Sequence, residues 1–239
     1  MSDMFETLSS MNEHMISHVH GVYVGIVTNN KDPENLSRVK VKIPVLDNEN
    51  ELDWARVATL MAGKDRGSLF IPEVGDEVLV AFHMGDIREP IVIGSLWSKK
   101  AAPPDGKDEK NNLRKITSRS KHEIILNDTD GDGKVTLKTA AGHQLEMSEK
   151  SDTIQLKDKS KQNTITIKGS GEIEVKSGTT KIVINNKGDV AIESAKSVKL
   201  TSTQVAVEAK ATLDLKAAAA LNLKSDGVIT IKGSLIQLN

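Results

Sequence analysis

The sequence predicts an all-β chain in two parts: a small N-terminal barrel, then a C-terminal β-helix shaped as a triangular prism and built by three intertwined copies. Three observations carry this expectation. From Ile165 onward, apolar residues recur as i, i+2 pairs spaced eight apart, with slips to seven or nine. Aromatic residues make up only 3% of the chain, too few for a large conventional core in its second half. Residues 18–97, in contrast, hold five short apolar runs with the alternation of strands.

The pairs are Ile165 and Ile167, Ile173 and Val175, Ile182 and Ile184, Val190 and Ile192, Val198 and Leu200, Val205 and Val207, Leu213 and Leu215, Leu221 and Leu223, Ile229 and Ile231, and finally Ile236 and Leu238. A residue and its second neighbour share a face only in a strand, so each pair reads as one short strand with a buried side. Gly, Ser, Asn, Lys or Ala follow, as in Lys168-Gly169 and Lys232-Gly233, and let the chain turn. Fixed periods of this kind mark solenoids and fibres, whose units need neighbours to bury their apolar side. A single-chain β-helix with three six-residue sides would repeat at about six and eighteen residues. Octads fit a three-sided prism in which each chain supplies one strand per layer. Ten layers at about 4.8 Å make a rod of roughly 50 Å. Ala217–Ala220 favours helix by propensity, but the eight-residue phase continues on both sides of it.

Taken in order, residues 1–17 set Met4, Leu8, Met11 and Met15 on one helical face, a candidate docking segment or a frayed terminus. Residues 18–97 form the barrel. Val22, Val24 and Ile26 alternate in the first strand and Val39, Val41 and Ile43 in the second, with a turn at Asn29–Asn35. Trp54–Leu60, Glu77–Phe82 and Pro90–Leu96 supply the rest. Five short antiparallel strands suit a Greek-key barrel of the OB type. Such barrels often bind single strands, through exposed aromatics in a basic groove. Tyr23, Trp54, Phe70, Phe82 and Trp97 mostly lie in or beside apolar strand patterns, which assigns them to core packing.

The phrase Gly67-Ser-Leu-Phe-Ile-Pro-Glu-Val-Gly-Asp-Glu-Val-Leu-Val-Ala-Phe82 is followed by Gly85-Asp-Ile-Arg-Glu-Pro90-Ile-Val-Ile-Gly94-Ser-Leu-Trp97. Together they resemble the barrel of contractile-tail spikes, the phage baseplate assembly protein V group and the VgrG-type spikes of secretion systems. The resemblance implies a trimeric collar on a trimeric prism. It departs from VgrG-type proteins in lacking the large hub region before the barrel, and from some phage spikes in lacking an inserted lysozyme domain. The expected form is therefore minimal, with a separate hub protein at the N-terminal end.

Residues 98–112 read as an exposed linker, with Pro103, Pro104 and Gly106. Residues 113–163 read as a wider, partly antiparallel neck, its strands nine to eleven residues apart, and residues 164–239 as the regular prism.

Charge is balanced, 32 basic against 33 acidic residues, which gives no hint of nucleic acid or an anionic membrane surface. There is no cysteine, hence no disulfide or thiolate chemistry. No apolar run reaches the length of a membrane helix and no signal-peptide pattern opens the chain, so the expected compartment is the cytoplasm until assembly. The resemblance then places it in the baseplate of a virion or of an extracellular or secretion particle.

Candidate sites are few. Asp128-Thr-Asp130-Gly-Asp132-Gly133 resembles half of a calcium loop, but Thr139 stands where a bidentate Glu belongs, and a tight turn explains the same letters. His18-x-His20 offers only two metal ligands. In some short phage spikes a His-x-His pair near the tip holds iron. Here the pair precedes the barrel, and Ser225–Asn239 contains no His. Ala62-Gly63-Lys64-Asp65 lacks the first Gly and the final Ser/Thr of a phosphate loop, and Asp108 and Glu109 lie in the linker. No metal, cofactor or catalytic constellation is expected.

Leu235, Ile236, Gln237, Leu238 and Asn239 would give three copies a blunt apolar plateau, and such patches mark binding surfaces. Relatives without their own metal-sealed tip receive a conical PAAR-repeat protein there. The expected function is thus structural: a homotrimeric central spike that pierces a target membrane, joining hub to PAAR-type tip. An OB-type nucleic-acid module and a trimeric receptor-binding fibre are the alternatives.

Overall fold

The computed structural model describes residues 19–105 and 109–237. Met4, Leu8, Met11, Met15, His18, Asp108, Leu238 and Asn239 lie outside the described residues. Within them the chain is all-β apart from one short 3-10 turn at His83–Gly85.

The barrel is a five-stranded sheet: β1 (Val22–Asn29), β2 (Lys40–Lys42), β3 (Arg56–Val57), β6 (Glu77–Phe82) and β7 (Pro90–Leu96), in the order β2-β1-β6-β7-β3. A single bridge, Val39 to Ala55, joins the two ends of that order and closes the ring. The expected all-antiparallel arrangement needs one correction, because β3 pairs parallel to β7 (Arg56 with Ile91, Val57 with Val92). The chain reaches that position by a long crossover, through a small hairpin of β4 (Ala62–Gly63) and β5 (Arg66–Gly67). The predicted third strand, Trp54–Leu60, shortens to two residues for the same reason.

Val27, Val39, Val41, Ile43, Ala55, Val78, Val80, Phe82 and Val92 form the core. The aromatic assignment divides. Phe82 is buried with Tyr23 packed edge-on at 5.8 Å between ring centroids, while Phe70 and Trp97 are about two-thirds exposed at 67% and 68%. Phe70 follows the small hairpin and Trp97 follows the end of β7, where no layer covers them. In β1 the inward set is Tyr23, Gly25 and Val27, and the alternating Val22 and Val24 face outward. Gly25 suits that interior position because a Cβ there would lie 3.1 Å from a Val80 methyl.

The second sheet is a nine-stranded antiparallel meander, with every strand paired to its sequence neighbour. It comprises β8 (Leu113–Thr117), β9 (Glu123–Asn127), β10 (Lys134–Lys138), β11 (Gln144–Ser148), β12 (Thr153–Lys157), β13 (Asn163–Lys168), β14 (Ile173–Ser177), β15 (Thr180–Ile184) and β16 (Val190–Glu193). At about 4.8 Å per strand it runs roughly 40 Å. Most of its turns use one device: a short turn closed by a backbone hydrogen bond, with a left-handed residue before the next strand. Lys121, Gly142, Lys161, Gly171 and Gly188 occupy that position. The first four octad pairs therefore pair within their own chain as hairpins instead of passing from chain to chain. Beyond Glu193 the described chain to Gln237 contains no strand.

Two ion pairs join barrel and linker to the meander: Arg119 with Glu73 at 3.1 Å, and Lys115 with Asp105 at 3.0 Å.

Candidate assembly surface

The pairing register aligns the apolar pairs of successive strands into two columns on one face. One column runs Leu126, Val135, Met147, Ile154, Ile167, Ile173, Ile184 and Val190. The other runs Ile116, Ile124, Leu137, Leu145, Leu156, Ile165, Val175, Ile182 and Ile192. A one-residue slip anywhere would turn a strand's pair to the other face, so the unbroken columns mark a face meant to be covered. None of the described residues covers it. Exposure is 37% at Val135, 43% at Ile184 and 63% at Val190.

The opposite face is polar and supports itself. Thr136, Ser148 and Thr166 are buried in a surface of longer side chains. Lys115 reaches Glu123 at 2.6 Å on the next strand, and Lys181 reaches Glu193 at 3.1 Å. The Lys115 ammonium holds the Glu123 carboxyl below its usual range, and Glu123 in turn raises Lys115. Such a face suits water, so the two sides of the sheet differ in what each accepts.

The tail carries the same apolar pairs with no sheet beneath them. From Ala195 to Gln237 every residue is exposed, and none of these described residues has a backbone-to-backbone hydrogen bond. Leu200 is 78% and Leu223 64% exposed. Of the predicted tip residues, Leu235 and Ile236 are exposed at 81% and 49% and Gln237 is also exposed. The chain exposes 19692 Å² in all, against about 10,500 Å² for a compact monomer of its mass.

Every predicted core residue from Ile165 to Ile192 lies in the two columns, and those from Val198 to Ile231 lie in the unpaired tail. The predicted set did not include the columns' first half, Ile116 to Leu156, where wider spacing hid the same i, i+2 phrase. It also missed a second patch, on the outside of the barrel. There Val24 pairs with Leu79, Val22 with Ala81 and Ala81 with Ile91, an apolar outer surface across β1, β6 and β7. The signal was present in Val22–Val27 and Val78–Phe82, which are apolar at nearly every position, as strands buried on both faces are.

The Asp128–Gly133 segment folds as a turn, with the Asp132 N–H donating to the Thr129 carbonyl at 2.9 Å. Asp128 pairs with Arg114 at 2.9 Å and Asp132 with Lys134 at 2.9 Å, and the Lys134 ammonium holds the Asp132 carboxyl below its usual range. Among the described residues no three His, Cys, Asp or Glu side chains are grouped to hold a metal ion.

Residues 23–97 match the type VI secretion system/phage-baseplate injector OB domain family. The type VI secretion system spike protein VgrG3 of Vibrio cholerae serotype O1 is 37% identical over 114 residues, 44% of this chain and 11% of VgrG3. Spike protein VgrG1a of Pseudomonas aeruginosa is 42% identical over 57 residues, 24% of this chain and 9% of that protein. VgrG2a of the same organism is 35% identical over 102 residues, 38% and 12%. The matched part spans about a tenth of the length of these curated relatives.

Proposed function

We propose that the chain is a member of the VgrG-type contractile-tail spike family and that it is the homotrimeric central spike of a contractile injection particle. Its work is mechanical. A narrow, stiff rod concentrates the thrust of a contracting sheath onto a small area of the target envelope. Three meanders would bring their paired columns to a common axis, and three tails would supply each other's missing strand partners.

One observation carries the reading: the apolar pairs of the columns recur in a tail whose backbone has no hydrogen-bonded partner among the described residues. An unpaired backbone group shut away from water costs as much as a lost hydrogen bond, so the tail can bury its apolar pairs only beside other strands. Two further copies supply those strands at the same layer spacing. The barrel's outer patch would face its counterparts around the collar.

The hub protein would seat at the barrel end, through the predicted 1–17 segment, and a PAAR-repeat tip would cap Leu235–Asn239. The role requires no catalysis and no cofactor. The protein would reside in the cytoplasm until assembled into the particle.

Sedimentation velocity on the purified full chain tests the reading. A single species of three times the chain mass is the expected result. A folded species of one chain mass would remove the proposal.

A further inference from the structure

The two long edges of the meander differ in charge. Its turns alternate between them, so the connections at residues 118–122, 139–143, 158–162 and 178–179 form one edge, and those at 128–133, 149–152, 169–172 and 185–189 the other. The first edge carries Arg119, Lys121, Lys159 and Lys161 against Asp158, whose carboxylate is taken up by Ser160 and Asn163 of its own turn. The second carries seven acidic residues against Lys150 and Lys187. Some of these charges are matched locally: Arg119 by Glu73 of the barrel, and Asp128, Asp132 and Glu172 by Arg114, Lys134 and Lys168. Lys121, Lys159 and Lys161 on one edge, and Asp130, Glu149 and Asp152 on the other, are exposed and have no ion pair among the described residues. A five-residue strand spans about 17 Å, so the two edges cannot neutralise each other within one chain.

The acidic edge makes room for its charges. A Cβ at Gly133 would run into the Glu149 carboxylate, and one at Gly169 into that of Asp152. Neither glycine has the left-handed backbone that by itself calls for glycine, so what each contributes is space. Successive turns of this edge are also tied together, the Glu149 N–H donating to the Gly133 carbonyl at 3.0 Å and the Gly169 N–H to the Asp152 carbonyl at 2.8 Å. The carboxylates are thereby held in a fixed file along the sheet.

The apolar columns need a cover, and the edges decide how that cover is oriented. A second copy laid upside down on the apolar face brings basic edge to basic edge and acidic edge to acidic edge. Copies that point the same way bring the basic edge of each to the acidic edge of the next. Like charges set opposite one another cost several kcal/mol, on the order that rejects a wrong arrangement. The heights agree as well. The Lys121 and Asp130 turns are one strand apart along the stack, as are the Lys159 and Glu149 turns, a step of about 4.8 Å that a lysine side chain can reach across.

We propose that the lateral edges of the meander are the contact between copies of this chain, the basic edge of one seated against the acidic edge of the next, with Lys121 meeting Asp130 and Lys159 meeting Glu149. All copies then run in the same direction. Such a contact joins two different surfaces and repeats around a closed ring. It rests on the three-copy spike proposed above, to which it adds a direction and a neighbour.

The test refolds the full chain from denaturant at low salt, where exposed charges are least screened, and reads the yield of assembled species by sedimentation velocity. Lys121→Glu with Lys159→Glu, and separately Asp130→Lys with Glu149→Lys, set like charges against each other and should each lower that yield at least tenfold. The chain carrying all four substitutions exchanges the partners and should recover it. On the unsubstituted assembly, a water-soluble carbodiimide, which joins touching lysine and carboxylate side chains, should link Lys121 to Asp130 and Lys159 to Glu149. Unchanged yield in both paired variants, no recovery in the fourfold variant, or absence of those links would overturn the edge contact and leave the three-copy spike standing. An unsubstituted chain that sediments at one chain mass would remove both.

Discussion

A methyl group added at Gly67 would sit 2.6 Å from the Met61 carbonyl oxygen, on a backbone with φ of +152°. Both facts follow from the tight hairpin after β3, where the Ser68 N–H donates to that carbonyl at 3.0 Å. Only glycine enters this region without strain, so Gly67→Ala should destabilise the barrel by about 1–3 kcal/mol, measured by denaturant unfolding. Asp158 shows a different dependence on its neighbours. The Ser160 hydroxyl, then the Asn163 backbone and side-chain amides, donate to its carboxylate and hold its pKa down to about 2. The folded value lies below the unfolded one of about 3.9, so the stabilisation is present above about pH 4 and is lost as pH falls through 2. Amide exchange in the 158–163 turn should accelerate over that window, and Asp158→Asn should abolish the pH dependence.

At the scale of the element, the meander and the tail share one apolar phrase but differ in how their strands find partners. Consecutive hairpins need only local contacts, which form early and cheaply. A chain ending at Glu193 should therefore keep its β content by circular dichroism, while a peptide of residues 194–239 alone should show none. Ile184, one strand from the C-terminal end of its column, tests the apolar face itself. Ile184→Lys would place one charge per chain in the shared interior, at a cost on the order of several kcal/mol per chain. Sedimentation should then show loss of the assembled species, whereas Glu174→Gln on the polar face should retain it.

The elements also show what was legible in the sequence. Val39, Val41 and Ile43 alternate and are buried as read, and the i, i+2 pairs from Ile165 to Ile192 are strands sharing one face, whereas those from Val198 onward form no strand among the described residues. Where each strand finds its partner was not legible, because pairing depends on turns. Ser177–Thr180 closes a two-residue hairpin around Gly178, whereas the stretch around Ala195 to Ser197 closes none, and both read as small polar corners. The charged edges were hidden for a similar reason. Lys121, Asp130, Glu149 and Lys159 stand in a chain of balanced charge, and the alternation of turns alone sorts them by sign.

The whole molecule joins two parts of unlike construction. Its meander repeats one register over nine strands, while its barrel closes through the Val39–Ala55 bridge and the Leu52 N–H bond to the Val41 carbonyl at 2.8 Å. This join is short, and Val39 and Ala55 exchange both backbone hydrogen bonds across it. In the proposed spike, thrust passed between head and shaft would be borne at this join as well as by the short pairing of β3 with β7.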